Sequence, residues 1–142
     1  MNLISQQIQS MSGEVLCPGD KSISQRILII GSFLNCEMEI DGFLDAEDPN
    51  STLKALNKIG ASIKKEQNRV LLTERRIPFQ EPSNDLDLGN SGTGARLILG
   101  LISGLALKST IIGDPSLSKR PMLRVIKPLT EMGASIESSN GT

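Results

Sequence analysis

The sequence predicts an α/β (α+β) fold made of repeated βαβαββ units, with helices buried and sheets outside, the repetition being incomplete. Three observations predict it. The chain repeats itself, each copy alternates strand-like and helix-like stretches, and the first helical stretch of each copy is apolar nearly all round. "TLKALNKIGASIK" (52–64) and "VIKPLTEMGASIE" (125–137) coincide at Lys, Leu, Gly, Ala, Ser and Ile with an offset of 73. "GDKSISQR" (19–26) and "GNSGTGAR" (89–96) align at an offset of 70, and Pro49 matches Pro121 at 72. A drifting offset is what two copies with small insertions produce. The period exceeds the roughly 20–50 residues of solenoid units, so each copy is a multi-element unit. A helix apolar on every side is one buried on every side, unlike the helices that cover a doubly wound sheet.

The first copy begins with "EVLCPG" (14–19), read as a short strand ending at Pro-Gly. Residues 22–34 form a helix, and the alternating "EMEIDGF" (37–43) a strand. A second helix spans 49–59, with Asp48 as N-cap, Pro49 first and Gly60 just past the end. "ASIKKE" and "RVLLTE" flank a Gln67-Asn68 turn and form a hairpin. In the second copy "LDLG" (86–89) is a strand, 92–105 a helix and "STIIG" (109–113) a strand. A helix over 121–132 carries Met122, Val125, Ile126, Leu129 and Met132 on one stripe, and Pro128 inside it kinks it or delays its start. "ASIES" (134–138) is a strand before an Asn-Gly hairpin signal at 140–141. The resulting organisation is an N-terminal segment (1–13), a first unit (14–75), a connector (76–85) and a second unit (86–142) lacking its last strand. A hairpin turn without its second strand leaves an unpaired edge and points to a fragment of a longer protein. A natural end with a frayed terminus is the alternative.

Composition bounds the function. The 142 residues are 38% hydrophobic and 22% charged, with a net charge of -1, as in an ordinary globular domain and with no global pull toward nucleic acid. Three Phe without Tyr or Trp disfavour base stacking, and the absence of His removes His-based catalysis and His metal ligands. Cys17 and Cys36 form no CxxC pattern and read as reduced thiols. The N-terminus has neither the basic region nor the apolar core of a signal peptide, and the Gly- and Ser-interrupted run at 97–107 falls short of the ~20 residues of a membrane span. A cytoplasmic location is expected, without membrane contact.

The chemistry lies in the two repeated loops. Each leads into a helix N-terminus, where unpaired N–H groups and the macrodipole attract anions, and glycine allows close approach. Lys21 and Arg26 flank the first helix start, Arg96 lies in the first turn of the second, and "SLSKRPMLR" adds Lys119, Arg120 and Arg124. Two such ends aimed at one area would hold phosphate or carboxylate, with Arg suited to a bidentate grip. A plainer reading makes Asp20 and Asn90 simple N-caps and the arginines surface groups. "GNSGTGAR" is neither a Walker loop, which needs Lys-Ser/Thr, nor a dinucleotide fingerprint, and "DGFLDAED" (41–48) is not an EF-hand.

"PGDKSISQR", "LDLGNSGTGAR", "GDPSLSKRPM" and "PLTEMGA", in this order over residues 15–136, closely resemble the EPSP synthase family of enolpyruvyl transferases. The resemblance implies two domains, each of three βαβαββ units with helices inside, and places residues 1–13 near the hinge between them. It implies transfer of the enolpyruvyl group of phosphoenolpyruvate to the 5-hydroxyl of shikimate 3-phosphate, with loss of phosphate and no metal or organic cofactor. By motif, Lys21, Ser22 and Arg26 would meet shikimate 3-phosphate. Lys21, Gly92 and Arg120 would meet phosphoenolpyruvate, with Asn90, Thr93 and Arg96 supporting. Gln25 departs from the family, which often has His or Asn there. The family's acid/base carboxylates lie in later segments, so no catalytic residue is assigned in this chain. Glyphosate occupies the phosphoenolpyruvate site of the family, and Gly92 leaves its space open, which implies a sensitive parent enzyme. The remaining segments of such an enzyme, or a second copy of the chain, would cover its exposed apolar face.

Overall fold

In the computed structural model, residues 3–105 and 107–139 are described. Four α-helices occur among the described residues, α1 (Lys21–Leu34), α2 (Glu47–Lys58), α3 (Gly92–Leu105) and α4 (Leu123–Glu131). The strands are β1 (Met38–Ile40), β2 (Ile63–Glu66), β3 (Arg69–Leu72), β4 (Leu86–Asp87) and β5 (Ile111–Ile112). A 3₁₀ turn over Leu117–Lys119, not anticipated from the sequence, forms where the Asp114 carboxylate accepts from the Leu117 amide at 2.7 Å.

The hairpin forms as its sequence dictates. β2 and β3 pair antiparallel around Gln67, whose φ of 54° is left-handed, and β1 adds to the other side of β3 in the order β1-β3-β2. Ile40 faces Val70, and Met38 and Ile63 both face Leu72, so period-2 alternation delivers these apolar side chains to one face. β4 and β5 pair in parallel across α3, in register Leu86↔Ile111. Helices α1, α2 and α3 pack on one another, with α1 on β3 and α2 on β2 and β4. Leu28, Leu56, Ile59, Val70, Leu72, Leu86, Leu88 and Ile98 are fully enclosed there. Each such aliphatic side chain contributes about 1.5–3 kcal/mol by leaving water.

Several sequence expectations are corrected. Residues 14–19 form no strand; Val15 and Leu16 are 87% and 99% exposed. Alternation supplies propensity, but a strand exists only through ladder bonds. Residues 86–88 have them, with the Leu86 and Leu88 amides donating to the Thr110 and Ile112 carbonyls, whereas 14–19 have none among the described residues. The same holds for 134–138, which are irregular; the Asn-Gly signal at 140–141 lies outside the described residues. Asp48 is not a cap. α2 starts at Glu47, capped by Ala46 without a side-chain bond, and Pro49 is its third residue, where a helix amide has no partner to lose. α4 starts two residues after Pro121, with Pro128 inside it, and none of its residues is buried.

Nor is α1 buried all round. Ser24, Gln25, Leu28, Gly31 and Ser32 face the core, while Ile23, Ile30 and Leu34, in line with half-buried Ile27, face out at i, i+7 and i+11. Helical spacing defines two apolar faces on this segment, and only one is covered.

The repeat is visible in the backbone. Gly113, at the exit of β5, lies so close to β4 that a Cβ there would stand 2.7 Å from the Gly89 carbonyl oxygen. In the first copy the same approach runs from the other side: Gly19, aligned with Gly89, would place a Cβ 2.0 Å from the carbonyl oxygen of Gly42, just past β1. Each glycine brings the exit of one segment against the loop that precedes a helix.

Candidate anion site

The N-terminal ends of α1, α2 and α3 meet at one buried side chain, Gln25. Its Nε2 donates to Ser91 Oγ at 2.7 Å, Thr52 Oγ1 at 3.1 Å and the Asp48 carbonyl at 3.2 Å. Asp20 caps α1, its carboxylate accepting from the Ile23 amide at 2.8 Å. The plainer reading is thus right for Asp20 and incomplete for the second loop. There the cap is Ser91, whose Oγ accepts from the Gly94 amide at 3.1 Å. Asn90 stays outside the helix, and its Oδ1 accepts from Arg120 Nη2.

Lys21 Nζ lies 2.9 Å from Asp48 Oδ2, an ion pair about half open to solvent on the lysine side. Ser22 is half-buried, and Arg26 is exposed with no hydrogen bond or ion pair to another described residue. Thr93 is half-buried in the first turn of α3. Gly92 opens α3 beneath two guanidinium groups: a Cβ there would stand 2.7 Å from Arg120 Nη1 and 2.9 Å from Arg96 Nη1. Arg96 donates from Nη1 to the Gly92 carbonyl at 2.9 Å and from Nη2 to the Pro121 carbonyl at 3.2 Å, tying α3 to the segment before α4.

Arg96, Arg120 and Arg124 form a cationic group without a carboxylate partner among the described residues. Burial, followed by repulsion from Arg124 and Arg120, holds Arg96 below its usual pKa. Its Nε is buried without a hydrogen-bond partner. Mutually repelling guanidinium groups beside three helix N-termini form a region of positive potential that favours a bound anion. Lys21, at one end, connects through Asp48, Gln25 and Ser91 to the Asn90–Arg120 pair at the other. Two grooves of about 250 and 310 Å³ lie elsewhere, lined by none of these residues.

Sequence reasoning missed Ser91, Thr52 and the role of Gln25. A serine directly before Gly92 was a usable cap signal. Thr52 carried no signal, since its meeting with Gln25 joins residues 27 apart. Among the described residues no group of His, Cys, Asp or Glu could hold a metal ion, and no helix is long and apolar enough to cross a membrane.

Residues 5–142 match the sequence profile of EPSP synthase (3-phosphoshikimate 1-carboxyvinyltransferase). A 3-phosphoshikimate 1-carboxyvinyltransferase of Ruthia magnifica subsp. Calyptogena magnifica is 49% identical over 133 residues, which is 93% of this chain and 31% of that protein. One from Legionella pneumophila (strain Corby) is 42% identical over 143 residues, 99% of this chain and 33% of that protein. A solved structure of EPSP synthase from Acinetobacter baumannii superposes with a TM-score of 0.83 at 40% identity, covering 92% of this chain and 30% of that one. The chain thus spans about a third of the length of the curated relatives it matches. With a matching profile over nearly its whole length and a shared fold, the chain belongs to the EPSP synthase (3-phosphoshikimate 1-carboxyvinyltransferase) family.

Proposed function

We propose that this chain is the N-terminal part of an enolpyruvyl transferase and contributes one wall of its anion pocket. In the complete reaction the 5-hydroxyl oxygen of shikimate 3-phosphate bonds to C2 of phosphoenolpyruvate. The hydroxyl proton is lost and C3 gains a proton, giving a tetrahedral intermediate; the C2–O bond to phosphate then breaks as a C3 proton leaves, which restores the C2–C3 double bond. The products are the enolpyruvyl ether and inorganic phosphate. Lys21, Ser22 and Arg26 hold shikimate 3-phosphate; Lys21, Gly92 and Arg120 hold phosphoenolpyruvate; Asn90, Thr93 and Arg96 support them. Dense cations and helix N-termini offset the repulsion between two anionic substrates.

The observation that carries this reading is the meeting of three helix N-termini at Gln25, with Arg120 held on the Asn90 loop and unpaired by any described carboxylate. Proton transfer needs carboxylates that no residue here is assigned to supply, so the isolated chain binds weakly and does not turn over. Titration of the ¹⁵N-labelled chain tests this. Shikimate 3-phosphate shifts the amides of Ser22 and Gly92 saturably, and UDP-N-acetylglucosamine does not. Preference for the nucleotide sugar would assign the chain to a sister transferase, and turnover by the chain alone would refute the division of labour. Equal response to any phosphate would favour a non-catalytic anion-binding module.

A further inference from the structure

Gln25 is fully buried, yet its carboxamide is only half satisfied: Nε2 reaches three acceptors, and Oε1 has no partner. The orientation is fixed by chemistry. Ser91 and Thr52 carry hydroxyls that could face either end of the amide, but the Asp48 carbonyl only accepts, so the nitrogen must face it. The three acceptors belong to the first turn of α2, its second turn and the cap of α3. One amide group on α1 therefore sets where two other helix N-termini lie.

Opposite this amide sits Gly94. A Cβ there would stand 2.7 Å from both Ser91 Oγ and Thr52 Oγ1 and 3.1 Å from Gln25 Nε2. The crowding atoms here are buried and hydrogen-bonded to one another. They differ from the flexible arginine ends above Gly92, which can swing away. A methyl at 94 would meet the two hydroxyls first, and the carboxamide at 25 holds them there; a side chain one methylene shorter would retract the amide and let them give way.

We propose that Gln25 and Gly94 are a size-matched pair and that Gln25 is a positioning residue for the anion site. The pair pins the Ser91 cap, and with it Asn90 and Gly92, to the α2 turn that holds Lys21 through Asp48. The positioning role rests on the anion-site reading proposed above; the size matching does not.

Two measurements on the 142-residue chain decide the matter. In urea unfolding, Gly94→Ala lowers the midpoint, and Gln25→Asn in the same chain restores part of it. A double variant no more stable than Gly94→Ala overturns the size matching. Gln25→Met keeps the length and removes the orphaned oxygen. Ser91 Oγ retains the Gly94 amide and Thr52 its bond to the Asp48 carbonyl, so its urea midpoint stays near that of the parent chain. Its affinity for shikimate 3-phosphate, read from the Ser22 and Gly92 amide shifts, falls about ten-fold, the scale of one hydrogen bond to a charged network. Unchanged affinity in Gln25→Met overturns the positioning role. If the unsubstituted chain shows no saturable shift, the anion-site reading and the positioning role fail together, and the urea comparison still judges the pair.

Discussion

Adding one methyl group at two glycines should move stability in opposite directions, because the structure differs around them and the chemistry does not. At Gly113 the new carbon would stand 2.3 Å from Leu117 Cδ2, 2.9 Å from Leu117 Cβ and 2.7 Å from the Gly89 carbonyl oxygen. Leu117 is buried, and the Gly89 carbonyl already accepts from the Asp114 amide at 2.9 Å. Relief requires the exit of β5 to separate from the loop that precedes α3. Overpacking of this kind costs about 1–3 kcal/mol and the strained backbone bond about 1 more, so Gly113→Ala loses roughly 2–4 kcal/mol. Gly19→Ala, 2.0 Å from the Gly42 carbonyl oxygen, makes the same error in the other copy and suffers comparably. At Gly100, inside α3, a Cβ meets nothing within 4 Å. Gly100→Ala lowers the entropy of the unfolded chain and gains about 0.5–1 kcal/mol. Urea unfolding followed by circular dichroism resolves these effects, since slopes of about 1–3 kcal/mol per molar convert them into midpoint shifts of opposite sign. Equal losses at Gly100 and Gly113, or an unshifted midpoint in Gly113→Ala, would refute the reasoning from close approach.

Other outcomes follow from single contacts. Asp20→Ala removes the α1 cap and lowers stability by about 0.5–2 kcal/mol, measured by urea unfolding, while Asn90→Ala, which caps nothing, leaves stability unchanged. The Asp45 carboxyl is held below the ordinary carboxylate range, first by its bond from Lys65 and then by Asn50. Its contribution is present above the unfolded pKa and is lost as pH falls through the lower folded value. A carbon-detected titration should place Asp45 below the ordinary aspartate value, and Lys65→Met should raise it. The outward row of α1, Ile23, Ile30 and Leu34 with Phe33 beside it, is exposed in the single chain, and self-association through it is the expected outcome. Elution volume in size exclusion should decrease with rising concentration and lose that dependence in Ile30→Glu; a concentration-independent monomer would refute it.

Much of this was legible in the residues. The 92–105 helix has the expected boundaries, and α1 starts one residue earlier than read, because a polar N-terminal signal followed by an apolar run is a local pattern. The hairpin at Gln67 is local in the same sense. Residues 14–19 and 134–138 failed for one reason: a strand is a relation between two segments, and propensity names only one of them. In the site, Lys21, Arg96 and Arg120 stand out as cations near loops, whereas Gln25 looks like an ordinary polar residue in a helix.

By itself, then, the sequence determined the repeat, the helices, the family and the set of residues that can carry positive charge to two loops. These follow from order along the chain, where spacing and turn chemistry act between near neighbours. Only the tertiary structure decided that Ser91 and not Asn90 caps α3, that Asp48 holds Lys21, and that Gln25 joins three helix N-termini across as many as 66 residues of chain. Packing brings such distant groups within 3 Å, and there burial makes one amide's choice of partners matter to the whole site.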